Sequence, residues 1–181
     1  MTAVDQQPRQ TLEDRNSVVA TIASTSAGVV QVVVAAAGLG KTWVLERANA
    51  ILDATAAHHI TQRCEAPRST EPFHAFAQLA MEVDDATTDR ATAIADHLLN
   101  SISEVTCSET SLLVVDDVHW ADGGTLEVLV QLARRHEQYG LGVVFASRPG
   151  PVVERLIASL EPSAVVAITL RPLDDESMSQ L

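Results

Sequence analysis

Val29-Val30-Gln31-Val32-Val33-Val34-Ala35-Ala36-Ala37-Gly38-Leu39-Gly40-Lys41-Thr42 is the stretch on which the fold turns. Its first half, Val29–Ala35, is a β-branched run, apolar at nearly every position, as in a strand buried on both faces of a parallel sheet. Gly38-Leu39-Gly40 interrupts it. From Thr42 to Ala57, apolar Val44, Leu45, Ala48, Ile51 and Leu52 then recur at helical spacing. Strand, glycine loop, lysine, hydroxyl and helix, in that order, suit a phosphate group. Glycines let backbone N–H groups approach phosphate oxygens that a Cβ would obstruct. The helix start adds unsatisfied N–H donors and the positive end of its dipole. Lys41 supplies a mobile point charge and Thr42 a hydroxyl that can ligate Mg²⁺. Gly38, Leu39, Gly40, Lys41 and Thr42 are therefore the candidate nucleotide-binding residues.

Two details qualify the loop. The full pattern places a glycine five residues before Gly40, and here that position is Ala35, followed by Ala36 and Ala37. The first half of the loop is thus less permissive, and weakened phosphate affinity is the expectation. Conversely, Lys41 is the only lysine among 12 basic residues, the rest being arginines. A compact ammonium on a flexible stem stands at this one position. With no second lysine, the Asn/Thr-Lys-x-Asp element that reads guanine cannot be built, so adenine is the expected base.

Working outward, strands are expected at His59–Arg63, Ser111–Asp116, Gly142–Ser147 and Ala164–Leu170. Helical stretches fall between Leu12 and Ala27, then at Pro72–Glu82, Thr88–Ser103, Thr125–Glu137 and Pro151–Leu160. Strands alternating with helices argue for an α/β fold, a parallel sheet with helices on both faces. In such a sheet the C-terminal strand ends line the ligand crevice. Ser111-Leu112-Leu113-Val114-Val115-Asp116-Asp117 runs four apolar residues into two carboxylates at such an end. Asp116 is placed to hold Mg²⁺ opposite Thr42, and Asp117 to polarise an attacking water. Arg148, at the tip of the Gly142–Ser147 strand, is a candidate to reach a γ-phosphate.

The bulk numbers bound the rest. The 181 residues amount to about one domain, 46% hydrophobic and only 3% aromatic, so the core is mostly Ala, Val, Leu and Ile. A net charge of −12 would repel a phosphate backbone, and no direct nucleic-acid binding by this segment is expected. Cys64 and Cys107 lack metal-ligand or disulfide spacing and read as free thiols. His58 and His59, adjacent on a strand, face opposite ways and do not make a metal site. The N-terminus is not a signal peptide, and no apolar run has bilayer-spanning length. A cytoplasmic location without membrane contact is expected.

The continuation Val118-His119-Trp120-Ala121-Asp122 completes a second motif. With Gly38-Leu39-Gly40-Lys41-Thr42 and Val114-Val115-Asp116-Asp117, it resembles the STAND NTPases within the AAA+-like P-loop group. More narrowly, it is similar to the ATP-binding domain of large LuxR-type transcriptional regulators. Arg63-Cys64, Glu71-Pro72-Phe73 with Leu79, and Ser147-Arg148-Pro149 agree with the same family, and the resemblance spans about Arg15 to Leu173. It implies a three-layer P-loop NTPase fold with a five-stranded parallel sheet of order 5-1-4-3-2. It also implies ATP/ADP and Mg²⁺ as cofactors, and ATP favouring an assembled state of several copies. The family's Gly-Arg-Glu element, which helps enclose adenine, survives here only as Arg15 within Leu12-Glu13-Asp14-Arg15-Asn16.

The expected organisation is a disordered stretch at 1–11, a nucleotide-binding domain at 12–173, and at 174–181 the start of a truncated following segment. Its partners would be other copies of itself and the missing C-terminal domains of a longer regulator. The leading expectation is an ATP/ADP-binding switch domain with slow Mg²⁺-dependent ATPase activity. A degenerate scaffold acting as an interaction module is the alternative. A small-molecule kinase is a further one, disfavoured because only Arg134, Arg135 and Arg148 lie between Asp122 and Pro149.

Overall fold

Every residue of Ser111–Asp116 (β3) and Leu141–Ser147 (β4) is buried, as are the first four of Val30–Val34 (β1). These three strands form the centre of the sheet in the computed structural model, which describes residues 10–55, 58–84, 87–105 and 111–179. His59–Arg63 (β2) and Val165–Thr169 (β5) are half exposed and form the edges. The order is β2-β3-β4-β1-β5, with every pair parallel. Read from the other edge, this is the expected 5-1-4-3-2. Val30 aligns with Val143 on one side and Val165 on the other, and Arg63 aligns with Asp116.

Side chains alternate across the sheet, because successive residues of a strand point to opposite faces. Leu113, Val115, Val143 and Phe145 pack on one face, against Arg90–Val105 (α4), Gly123–Arg135 (α5) and Pro151–Ala158 (α6). Leu112, Val114, Val144 and Ala146 pack on the other, against Leu12–Ala23 (α1) and Lys41–Ala54 (α2). Three layers result, and each fully buried Leu or Val contributes about 1.5–3 kcal/mol. Packing is tight around Gly142. A Cβ there would come within 3.1 Å of Leu112 Cδ1, Ser26 O and Thr25 Cγ2.

Helix boundaries depart from expectation for local reasons. The first helix stops at Ala23, where Ser24 caps it and Thr25 Oγ1 donates to Ile22 O at 2.7 Å. It starts with a capping box, in which Thr11 Oγ1 accepts from Asp14 N–H and the Asp14 carboxylate accepts from Thr11 N–H. The stretch Pro72–Glu82 is not one helix. Phe73 adopts a left-handed conformation (φ 58°), followed by a 3₁₀ turn at His74–Phe76 and a short helix at Ala77–Glu82 (α3). α5 begins at Gly123, two residues before the expected Thr125, because Asp122 caps it. A last short helix, Asp175–Met178 (α7), is capped by Asp174. Residues 1–9, Cys107 and Leu181 lie outside the described residues. Among the described residues, no helix is long and apolar enough to cross a membrane.

Candidate functional site

The loop leaves β1 at Ala35, whose N–H donates to Ser147 O at 3.1 Å. Gly38 (φ 76°) and Gly40 (φ 80°) take the left-handed conformation that glycine adopts without strain. Ala35 does not, since the only non-glycine residues with positive φ among those described are Phe73 and Asp117. The alanine in place of glycine therefore strains nothing, and its methyl is buried beneath the loop. Lys41 is 7% exposed, and its ammonium donates to Ala35 O (3.1 Å) and Ala36 O (3.4 Å). Burial lowers its pKa, Asp117 and Asp116 pull it up, and Arg148 depresses it further.

Thr42, on the first turn of α2, donates through Oγ1 to Asp116 Oδ2 at 3.1 Å. Asp116 is 5% exposed, and its other oxygen accepts the Asp117 N–H at 2.7 Å. Burial raises the Asp116 pKa, as does the neighbouring charge of Asp117. The Asp117 N–H, the Thr42 hydroxyl and Arg63 offset this only in part. A hydroxyl and an under-compensated carboxylate side by side are hard oxygen donors, a set that fits Mg²⁺.

Asp117 is in the left-handed region (φ 54°), and Arg63 from β2 donates to its Oδ2 through Nη2 (2.8 Å) and Nε (3.2 Å). Sequence reasoning missed this partner as a site residue. His119 Nδ1 stands 3.8 Å from Asp117 Oδ1, with its ring beside Trp120. Burial lowers the His119 pKa, Asp117 opposes, and Arg148 and Lys41 add to the lowering, which favours the neutral imidazole. Arg148 follows buried Ser147 and is itself exposed, close enough to be felt by both Lys41 and His119.

Behind the loop, Arg15 is 3% exposed. Its Nη1 donates to Leu39 O, its Nη2 to Arg171 O, and its Nε to Gln10 Oε1 at 3.1 Å. Beside the site, Asp122 accepts from the N–H groups of Phe73, Gly124 and Thr125, from the Thr125 hydroxyl and from His74 Nδ1. His74 Nε2 in turn accepts the Glu65 N–H at 3.1 Å. Cys64 is a buried free thiol, pushed up to about 12 by burial and by the charges of Asp122, Asp117 and Asp116, and so is no nucleophile. Among the described residues, no group of three or more His, Cys, Asp or Glu could hold a metal.

The family model of the AAA ATPase domain matches residues 13–145. This chain belongs to the AAA ATPase domain family. Solved structures agree on the fold of this AAA ATPase domain. The ORC1 protein of Aeropyrum pernix, in complex with DNA, superposes with a TM-score of 0.60 at 17% identity, covering 92% of this chain and 47% of that one. AMPPCP-bound DnaA from Aquifex aeolicus gives 0.53 at 14% identity, covering 92% and 46%. A STAND protein with a tetratricopeptide repeat sensor from Pyrococcus horikoshii gives 0.53 at 16% identity, covering 96% and 25%. The chain thus spans about half the length of the first two and a quarter of the third. No curated protein matches the sequence. The DNA in the ORC1 structure belongs to that protein, and at 17% identity the likeness shows the fold and leaves the expectation of no direct nucleic-acid binding untested. That expectation rested on net charge, a sum that carries no information about local patches.

Proposed function

We propose that this AAA ATPase domain is an ATP/ADP-binding switch of a signalling or transcriptional regulator, of the STAND type and similar to LuxR-type regulators, with slow Mg²⁺-dependent hydrolysis. The observation that carries the reading is the Thr42–Asp116 contact at 3.1 Å, beside a lysine whose ammonium, among the described residues, donates to two backbone carbonyls. Gly38, Leu39, Gly40, Lys41 and Thr42 hold the phosphates, and Thr42 and Asp116 supply the protein's oxygens to Mg²⁺. The ion, when bound, would offset charge on the β- and γ-phosphates. Asp117 holds the water and Arg148 reaches the γ-phosphate. Catalysis of this kind is positioning and electrostatics, with little covalent chemistry for the protein to do.

The test is the melting temperature with and without MgATP, MgADP and MgGTP, for the wild type and Lys41→Ala. A ligand at about a hundred times its Kd adds roughly 2.7 kcal/mol, a shift of roughly 5 to 10 °C at this size. Adenine nucleotides raise the wild type by this amount and leave Lys41→Ala unmoved. No shift at millimolar nucleotide would leave the domain as an interaction scaffold.

A further inference from the structure

Arg15 is a buried guanidinium whose three hydrogen-bond acceptors are all neutral amide oxygens: Leu39 O, Arg171 O and Gln10 Oε1. Holding a helix to a sheet does not require this. An apolar side chain does it without the desolvation that a buried charge costs. What a guanidinium adds is a rigid planar fork with two separated ends. One end grips the phosphate loop and the other grips the chain just after β5. The two grips are neighbours because β5 runs parallel to β1, with Thr169 beside Val34.

The Leu39 carbonyl shares a trans peptide unit with the Gly40 N–H, and no described peptide is cis. In a planar trans peptide the two groups point in opposite directions. With Leu39 O drawn to Arg15, the Gly40 N–H is aimed away from it, the orientation in which a loop amide meets a phosphate oxygen. A Cβ at Gly40 would lie 3.2 Å from Arg15 Nη1, so the guanidinium sits directly against this peptide.

The other grip belongs to a hydrogen-bonded junction of chain segments. Gln10 Oε1 accepts from both Arg15 Nε and Arg171 N–H, and Gln10 pairs with Leu173 as an isolated parallel bridge. Gln10 N–H donates to Pro172 O and Asp174 N–H donates to Gln10 O. Leu12 N–H donates to the hydroxyl of buried Ser177.

We propose that Arg15 is a positioning residue that couples the phosphate loop to the segment Arg171–Ser177, so that nucleotide in the loop orders this segment. The inference rests on the nucleotide-binding reading above. A phosphate that fixes the Leu39–Gly40 peptide fixes one end of the fork, and the rigid guanidinium then holds Arg171 O in place. Linkage makes the effect reciprocal: loosening the junction weakens nucleotide binding by the same factor.

The experiment is backbone amide hydrogen exchange with and without MgADP, with MgADP affinity measured in parallel, on wild type, Arg15→Lys and Gln10→Ala. In the wild type, MgADP slows exchange at residues 36–42 and also at 171–177, the latter by about fivefold or more. Gln10→Ala touches neither the loop nor the phosphate, yet weakens MgADP by about fivefold or more. Arg15→Lys, with its single ammonium, keeps protection at 36–42 under saturating MgADP and loses it at 171–177. A merely structural Arg15 would lower the melting temperature and leave this nucleotide-dependent pattern intact. Protection confined to 36–42 in the wild type, or wild-type affinity in Gln10→Ala, overturns the coupling and leaves the nucleotide site standing. No protection at 36–42 removes the nucleotide reading and the coupling with it.

Discussion

Thr42 and Asp116, 74 residues apart in sequence, meet through a 3.1 Å hydrogen bond that passes over the end of the intervening strand β4. The strand order produces this meeting. β1 and β3 are both neighbours of β4, and their carboxyl ends open on the same side of the sheet.

Asp116→Asn separates the stability of the site from its metal chemistry. Burial, then the charge of Asp117, raises the Asp116 pKa, so its ionised form is disfavoured in the fold. A raised carboxyl pKa withdraws stability as pH climbs from the ordinary carboxylate range through the raised value. Asparagine carries no charge, keeps through Oδ1 the acceptor for the Asp117 N–H, and turns the other contact round, its Nδ2 donating to Thr42 Oγ1. Its apo form therefore melts a few degrees above the wild type at pH 7, and the difference vanishes below about pH 3.9. In titrations with and without Mg²⁺, the wild type gains nucleotide affinity from the ion and the variant does not. A lower melting temperature at pH 7 would contradict the account.

Ala35→Gly restores the usual loop glycine and gains nothing. Ala35 needs no left-handed conformation, and its buried methyl packs with Val33 and Val44. The variant loses about 0.5–1 kcal/mol of stability. Calorimetric titration should give a nucleotide Kd within about twofold of the wild type, since no strain is relieved.

Asp122→Ala is the most destabilising single change near the site. Burial would raise this carboxyl, but hydrogen bonds from the Thr125 hydroxyl, the Thr125 and Phe73 N–H groups and His74 outweigh it and depress the pKa. The loss of about 3 kcal/mol or more follows from orphaning those buried donors, roughly 6 to 12 °C in Tm. A depressed pKa gives stability above about pH 3.9 that is lost as pH falls through the folded value. Acid melts followed by circular dichroism should show that loss in the wild type and a flatter profile in the variant.

Arg63→Ala tests the hold on Asp117. The Arg63 side chain is 56% exposed, so its ion pair is worth under about 1 kcal/mol to the fold. Its effect is on the availability of the Asp117 carboxylate. In steady-state hydrolysis assays kcat rises severalfold with KM unchanged, because a carboxylate released from Arg63 has Oδ2 free to hold the attacking water. An unchanged or lower kcat would mean that Arg63 positions Asp117 productively.

The fold was legible because its signals are local. A β-branched run, a glycine loop and a helical period need only neighbouring residues, and the Asp116-Asp117 strand end announces itself the same way. Partnerships made by the sheet were not legible. Arg63 reaches Asp117 because β2 pairs with β3 in one particular register, and the sequence of neither strand states that register. Phe73 breaks the expected Pro72–Glu82 helix because Asp122, 49 residues away, takes its N–H. Arg15 looked like the remnant of a motif, and its three acceptors come from three separate segments.

The place of β1 in the sheet also bears on how the protein is made. Synthesis delivers Val30–Val34 before both strands that flank it, Leu141–Ser147 and Val165–Thr169, which follow only after the β2 and β3 segments of the sheet. Until then an uncharged, β-branched segment waits with both edges open, the profile of an aggregation hazard. A ribosome stalled before Leu141 would leave it so. The strand that carries the family's defining loop is thus the one a nascent chain most needs shielded.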